Sequence, residues 1–404
     1  FQGRRPMNRR DLIDALKAED FSPYYRLADK IRFQEKGNYV DIRAILEFSN
    51  ICRRKCVYCG LNCRNQALHR YRMTPDEIVD AASAAARAGY RTLVMQSGED
   101  PWFTPKILGG LVKEIKKTGM AVTLSCGEMP KEAYAYLREC GADRYLLKHE
   151  TADPEIYSAL HPDSSLQQRI ACLKVLKRLG YETGSGFMIG LPGQTAETLA
   201  DDLLLLQEIG CDMAGMGPFI PHPDTPLREL SSGSTETTKR VVALARILLP
   251  KLNLPATTSL GVLSGSEKND VFSCGANVVM RKVTPTKYKR YYEIYPAKLG
   301  ETHVIEDRKL LEQQITALER VLYDVKSSKA EEFISDEEIL DTLDYAEKNK
   351  SNKELIEALL QKAASLKGLT HREAAVLLDC DLPEENEKMY RLAEQIKKDF
   401  YGNR

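Results

Sequence analysis

Val40-Asp41-Ile42-Arg43-Ala44-Ile45-Leu46-Glu47-Phe48, followed through Ser49-Asn50-Ile51 by Cys52-Arg53-Arg54-Lys55-Cys56-Val57-Tyr58-Cys59, is the stretch that decides how the chain is read. Its first part is a β-branched apolar run of strand length, and its second packs three cysteines into eight residues immediately beyond the strand. Working outward, short apolar runs alternate with longer segments of helical period, the pattern of βα units around a parallel sheet. Eight strands are predicted at residues 40–48, 91–96, 120–125, 143–148, 185–190, 212–219, 254–260 and 276–280. Between them helices are predicted at 74–88, 105–118, 131–140, 166–179, 196–209 and 235–249, the first with Thr74 as N-cap, Pro75 in the first turn and Gly89 as its stop. Eight such units close a complete (β/α)8 TIM-type barrel, an α/β fold whose active groups sit at the C-terminal ends of the strands. The unusual residues fall on that rim: Glu47 and the cysteines, Gln96-Ser97-Gly98-Glu99-Asp100, Ser125, His149-Glu150-Thr151, Pro221-His222-Pro223 and Thr257-Thr258.

Lys+Arg and Asp+Glu balance at 58 each, so no global field draws in nucleic acid or an acidic membrane. No apolar run approaches the roughly 20 residues a bilayer requires, and no secretory signal is visible, so a cytoplasmic protein is expected. Phe1-Gln2-Gly3 reads as the remnant of a cleaved tag. Cys63, Cys126, Cys140, Cys172, Cys211, Cys274 and Cys380 are scattered, as buried small hydrophobes are in a reducing compartment.

Cys52, Cys56 and Cys59 have the spacing CxxxCxxC. Thiolates select iron-sulfur clusters or zinc, and a [4Fe-4S] cube normally takes four of them. Three leave one iron open, and that iron can chelate the amino and carboxylate groups of S-adenosylmethionine, whose reductive cleavage yields a 5′-deoxyadenosyl radical. Two other readings remain at this point: a structural zinc site, or an electron-transfer cluster, each with Cys63 as fourth ligand. Glu99 is a candidate for the methionine ammonium, with Gly98 allowing close backbone approach. Glu150 is a candidate for a ribose hydroxyl and Arg169 for the methionine carboxylate. Leu191-Pro192-Gly193-Gln194-Thr195 lacks the lysine and second glycine of a phosphate loop and reads as a turn into a helix.

From about Tyr25 to Tyr323 the chain resembles the HydE family, the radical S-adenosylmethionine maturases of [FeFe]-hydrogenase. Besides the cysteines, the resemblance runs through Ile42-Arg43-Ala44-Ile45, Glu47-Phe48-Ser49-Asn50, Gln96-Ser97-Gly98-Glu99-Asp100-Pro101, Arg144 to Thr151, Gly190-Leu191-Pro192-Gly193-Gln194, Gly217 to Pro226 and Pro255-Ala256-Thr257-Thr258. It implies a closed internal cavity, with Tyr58, Gln96 and Ser97 joining Gly98, Glu99, Glu150 and Arg169 around the nucleoside. The substrate it implies is a cysteine-bound Fe(CO)2CN unit delivered by the companion maturase HydG, and HydF is the implied acceptor of the product. Ser125, Lys148, Thr257 and Thr258 would anchor the carboxylate and amine of that cysteine, while Met213, Met280, Tyr292 and Tyr295 would line the cavity. Lys148 stands where the family usually has arginine, which keeps the charge and gives up bidentate pairing. Gly300, Arg308 and Leu311 fall where some members bind a second cluster, so none is expected here. A biotin-synthase-like or methylornithine-synthase-like enzyme acting on an organic substrate is the alternative.

The expected organisation is a tag remnant and helices over 1–39, the barrel over 40–326 and a helical segment over 327–404, joined through Lys326-Ser327-Ser328-Lys329. Strand signals stop near residue 300. A capping signature at Ser335-Asp336-Glu337-Glu338 opens the tail, with helices predicted at 353–366, 370–378 and 384–400. From about Phe333 this tail resembles the N-terminal helical extension of HydG, most clearly at Gly368-Leu369-Thr370-His371-Arg372-Glu373-Ala374-Ala375-Val376-Leu377-Leu378. That resemblance implies a designed fusion carrying a HydG segment that docks on HydE.

Overall fold

In the computed structural model, which describes residues 7–257, 271–296, 304–317, 321–322, 336–365 and 368–401, the deciding apolar run forms strand β1 (Tyr39–Ser49). It is buried from Ile42 to Ser49, as a parallel strand covered on both faces must be. After it come β2 (Thr92–Ser97), β3 (Ala121–Ser125), β4 (Arg144–Leu146), β5 (Glu182–Ser185) and β6 (Met188–Ile189). The series continues with β7 (Met213–Ala214), β8 (Gly217–Pro218), β9 (Pro255–Ala256) and β10 (Val278–Lys282). The main sheet runs β7-β5-β4-β3-β2-β1-β10-β9 with all of these pairs parallel. Its two end strands meet at a parallel bridge between Met213 and Asn253, which closes the eight-stranded barrel.

The helices follow from local chemistry. After α1 (Arg9–Leu16) and α2 (Ser22–Lys36) comes α3 (Pro75–Arg87), where Thr74 and Glu77 form a reciprocal capping box and Pro75 occupies the first turn, as predicted. The outer layer continues through α4 (Pro105–Lys116), α5 (Lys131–Glu139), α6 (Pro154–Leu160), α7 (Leu166–Arg178), α8 (Ala196–Ile209) and α9 (Thr235–Leu248). Thr195 caps α8, and the Gln194 side chain accepts from Gly190 N and donates to Met188 O, so the Leu191–Thr195 run is the turn expected of it. The N-terminal helices belong to the same compact unit, Phe1–Asp324. There α1 packs on α8, with Arg9 on Asp201 and Lys17 on Glu197, and α2 packs on α9.

Several expectations change. The fifth barrel strand is Glu182–Ser185, ahead of the predicted 185–190, and Met188–Ile189 pairs with β8 outside the main sheet. Its Glu-Thr-Gly-Ser composition has little β propensity, so the apolar run beyond it drew the prediction. Gly186 ends the strand because a Cβ there would lie 2.0 Å from Gly215 O. The predicted sixth strand, 212–219, divides at the same contact into β7 and β8. Beyond residue 300, α10 (Val304–Ala317) is followed by a short strand, β11 (Val321–Leu322), paired with the first residues of β1. Two residues are too few to show alternation. Arg308 bonds Glu312 and Leu311 joins the core. Thr258, Gly300 and the predicted linker 326–329 lie outside the described residues.

The second compact unit, Val325–Arg404, consists of α11 (Asp336–Asn349), α12 (Lys353–Ala364), α13 (His371–Leu378) and α14 (Pro383–Tyr401). Ala346, Ile356, Leu359, Leu360, Val376 and Leu377 form its core, and Thr370 and Glu373 make a capping box at the start of α13. Among the described residues no helix is long and apolar enough to cross a membrane.

Candidate functional site: a thiol loop above a barrel cavity

The cysteine loop leaves β1 at the C-terminal rim and is held from several directions. Arg54 N–H and Glu99 N–H each donate to Cys52 Sγ at 3.4 Å. Arg53 N–H donates to Glu99 O, and Gly98 N–H to Ser49 O. Gly98 is required for this contact with the loop itself: a Cβ there would lie 2.3 Å from Ile51 O and 2.7 Å from Cys52 Cβ. Cys52, Cys56 and Cys59 are partly buried, whereas Cys63 is exposed. Burial, then the neighbouring Cys59 and Cys52, pushes the Cys56 thiol up; burial takes Cys59 to about 12. Three thiols within electrostatic reach, in surroundings that disfavour bare thiolates, suit a cationic iron-sulfur core that supplies the missing positive charge. Among the described residues no three His, Cys, Asp or Glu side chains are close enough to enclose a single ion. A cube holds each thiolate on a different iron and makes no such demand.

An ionic wall runs from this loop into the barrel. Arg53 Nε (3.0 Å) and Arg54 Nε (2.7 Å) donate to Glu99 Oε2, and Glu128 N–H donates to Glu99 Oε1 (2.9 Å). Arg54 Nη2 reaches Glu128 Oε2 at 2.9 Å, while Arg169 Nε donates to Glu128 Oε1 at 2.6 Å. Glu99 is therefore committed to two arginines and an amide. Glu99, expected as an acceptor for an ammonium group, also braces the cysteine loop. Gly127 packs on it so closely that a Cβ would lie 2.1 Å from Glu99 Cγ. Asp100, buried in the same turn, takes both Arg72 Nε and Nη2 at 2.7 Å and the Ser49 hydroxyl at 2.7 Å.

Below the loop lies a cavity of about 320 Å3, the size range of small-ligand sites. Its wall includes Tyr58, Gln96, Ser97, Ser125, Lys148, Glu150 and Arg169 on one side, with Met213, Thr257, Met280 and Tyr295 on the other. Gly98, Glu99 and Tyr292 are not in that wall. Tyr292 is buried beside Gln96, within electrostatic reach of Glu47 and Cys59. Met188, absent from the sequence reading, adds a third thioether. Tyr58 connects loop and cavity: its hydroxyl lies 3.2 Å from His161 Nε2, and His161 Nδ1 lies 3.1 Å from Tyr157 O. The carbonyl requires a proton on Nδ1, which leaves Nε2 to accept from Tyr58, and burial takes His161 down to about 4.

Glu150 is the only described non-glycine residue at positive φ, 66°. That backbone is held because Glu150 N–H donates to Gly186 O and Glu150 O accepts from Met188 N–H. Its carboxylate sits 3.0 Å from Lys148 Nζ as an ion pair without hydrogen-bond alignment. Burial alone would raise its pKa; Lys148, His161 and Arg169 together hold it below the ordinary value. Lys148 thus faces Glu150 as well as the cavity, a coupling its sequence position did not show. Behind it His149, fully buried, bonds Ser185 Oγ through Nδ1 (2.9 Å) and places Nε2 3.4 Å from Asp202 Oδ1. Burial takes His149 down to about 3 and pushes Asp202 well above its usual range. Asp202 Oδ1 also accepts Ala152 N–H at 2.5 Å, which anchors the loop carrying Glu150.

The profile of the Radical SAM superfamily matches residues 46–206, which include the cysteine loop and the ionic wall. The [FeFe] hydrogenase maturase subunit HydE of Thermotoga maritima is 52% identical over 299 residues, covering 73% of this chain and 86% of that protein. The chain belongs to the HydE family. The cofactors of this family of radical enzymes are a [4Fe-4S] cluster and S-adenosylmethionine, and Cys52, Cys56 and Cys59 are the residues here that fit the cluster. More distant from this HydE chain is the 3-methylornithine synthase of Methanosarcina acetivorans, 29% identical over 273 residues, covering 67% of this chain and 77% of that protein. Among solved structures, methylornithine synthase (PylB) aligns with a TM-score of 0.66 at 26% identity, covering 78% of this chain and 97% of that one. The maturase HydG from Carboxydothermus hydrogenoformans aligns at 0.69 and 17% identity over 97% of this chain and 91% of that one, a likeness of fold.

Proposed function

We propose that this HydE-family radical enzyme acts on a cysteine-bound Fe(CO)2CN substrate supplied by HydG, working in the cytoplasm and passing its product to HydF toward the di-iron subsite of [FeFe]-hydrogenase. The observation that carries the reading is a cavity combining three thioethers, Met188, Met213 and Met280, with Ser125, Thr257 and the Lys148 ammonium. Soft sulfur surfaces suit a low-valent iron cargo, and the hydroxyls with the ammonium suit an amino-acid carboxylate. When bound, the cluster and S-adenosylmethionine supply the electron and the 5′-deoxyadenosyl radical. The protein's own part is to hold the methionine carboxylate near Arg169, keep the Glu150 carboxylate ionised beside Lys148, and exclude water from the cavity. The organic-substrate alternative is disfavoured by the gap between 52% and 29% identity.

The tail unit is, on this reading, a fused copy of the HydG N-terminal extension. Its support is the Gly368–Leu378 run and an all-helical fold with its own core. Deleting residues 330–404 should improve the binding of full-length HydG to the barrel unit; unchanged binding contradicts the docking role. The substrate reading is tested by anaerobic reconstitution with dithionite, S-adenosylmethionine and the HydG product. A new paramagnetic iron species is expected. Full 5′-deoxyadenosine release with no change at iron contradicts it.

A further inference from the structure

The segment that carries Glu150 is pinned more heavily than a barrel loop requires. His149 N–H donates to Ser185 Oγ at 3.2 Å, and that hydroxyl gives its one hydrogen to Leu147 O at 3.1 Å. The 2.9 Å contact between Ser185 Oγ and His149 Nδ1 therefore takes its hydrogen from the ring, and Nε2 presents a lone pair. That lone pair faces Asp202 Oδ1 across 3.4 Å, with both side chains fully buried. A carboxyl group that keeps its hydrogen is the partner a lone pair needs, and burial pushes Asp202 in that direction. Asp202 stands among the buried residues of α8 with Leu199, Leu203, Leu206 and Ile209. Burying an acid there is costly, and a leucine would pack a helix on a barrel as well. The acid is used instead on Ala152 N–H and on His149. Between these two anchors Glu150 holds φ 66°, with its N–H on Gly186 O and its carbonyl on Met188 N–H. Such a backbone persists only where its surroundings over-determine it.

We propose that Ser185, His149 and Asp202 are positioning residues that aim the Glu150 carboxylate at a ribose hydroxyl of S-adenosylmethionine. The inference rests on the reading of Glu150 as the ribose partner. Lys148 and Glu150 line the cavity, whereas His149, between them, turns away from it to Asp202 on α8. Ser185 holds one side of the ring from β5, and Asp202 holds the other side together with the Ala152 amide, so the end of the strand is fixed by two neighbouring elements. Released from them, the peptide at Glu150 would relax to an ordinary negative φ and carry the carboxylate out of line. None of the three is in the described cavity wall, so they act on the nucleoside through Glu150. An acceptor aimed in advance bonds the hydroxyl without reorganisation.

The test titrates the full-length, cluster-loaded protein anaerobically with S-adenosylmethionine and with its 2′-deoxy and 3′-deoxy analogues. Kd ratios between analogue and parent are compared for the unsubstituted chain, Asp202→Leu and Ser185→Ala. In the unsubstituted chain the analogue lacking the bonded hydroxyl is expected to bind about 10-fold or more weaker, the scale of a hydrogen bond to a charged group. In both variants that ratio should collapse to about 2-fold or less, because the parent loses affinity and the analogue does not. The urea midpoint of each cluster-free variant is measured beside it, since a merely structural role lowers the midpoint and leaves the ratio alone. Ser185→Ala removes one oxygen and decides the matter if Asp202→Leu does not fold. A ratio that keeps its unsubstituted value in a folded variant overturns the proposal. Equal binding of all three nucleosides by the unsubstituted chain overturns the ribose reading of Glu150, and the proposal with it.

Discussion

The rim built by β1–β3 and the rim built by β5–β9 surround one cavity and are made differently. On the first side the strands run eleven, six and five residues, and the loops beyond them are locked by Arg53, Arg54, Glu99, Glu128 and Arg169 in a continuous ionic wall. On the second side the strands shrink to four and then two residues, broken where Gly186 meets Gly215, and the exposed wall is thioether and hydroxyl. Radical generation asks for ligands held in one geometry, which an over-determined network provides. Holding a bulky cargo asks for a soft, adaptable surface, which methionine provides. Division of labour between the two sides is the feature the following experiments would break or sharpen.

The largest effect is expected at the thiols. Replacing Cys52, Cys56 or Cys59 by serine should abolish 5′-deoxyadenosine release and lower iron content, while Cys63→Ala should leave both intact; equal loss in Cys63→Ala would erase the distinction between ligands and bystander. Next comes the ionic wall. Glu128→Gln leaves Arg54 and Arg169 facing one another in a buried place and should cost about 3 kcal/mol, the scale of breaking a buried pair, read as a lower urea midpoint for the cluster-free protein. A smaller effect follows from His161, whose folded pKa of about 4 lies below the ordinary 6.5. Its neutral form is favoured by the fold, so its contribution is complete above pH 6.5 and is lost as pH falls toward 4, at up to about 1.4 kcal/mol per unit. His161→Gln should flatten that slope in urea titrations at pH 7 and pH 5. On the adaptable side, Met188→Leu should cost less than about 1.5 kcal/mol and leave S-adenosylmethionine cleavage unchanged, because volume-conserving swaps are tolerated. A large loss of cleavage in that variant would show that the two sides are not separate.

The barrel was legible because most of its strands and helices carry strong local signals: the apolar run of β1, the Thr74–Pro75 cap and the exact span of α8. The cysteines announced themselves by spacing. What stayed hidden depends on contacts between segments distant in sequence. Glu128 gains its role by lying between Arg54 and Arg169, 74 and 41 residues away. Asp202 looks like a helix surface acid until its fold brings it to His149 and Ala152. The two arginines on Glu99 were not foreseen, since nothing local shows that they turn back on it from the cysteine motif. The short strands after Glu182 were misplaced because glycine and serine there serve close packing of backbone, which carries no periodicity.

Coordination at the fourth iron is the point on which the account turns. Electron paramagnetic resonance of the reduced cluster, recorded with and without S-adenosylmethionine in the unsubstituted chain and in Cys63→Ala, reads it directly. The spectrum should shift on addition of S-adenosylmethionine, and by the same amount in both proteins. A cluster that ignores the nucleoside until Cys63 is removed would contradict the three-thiolate site.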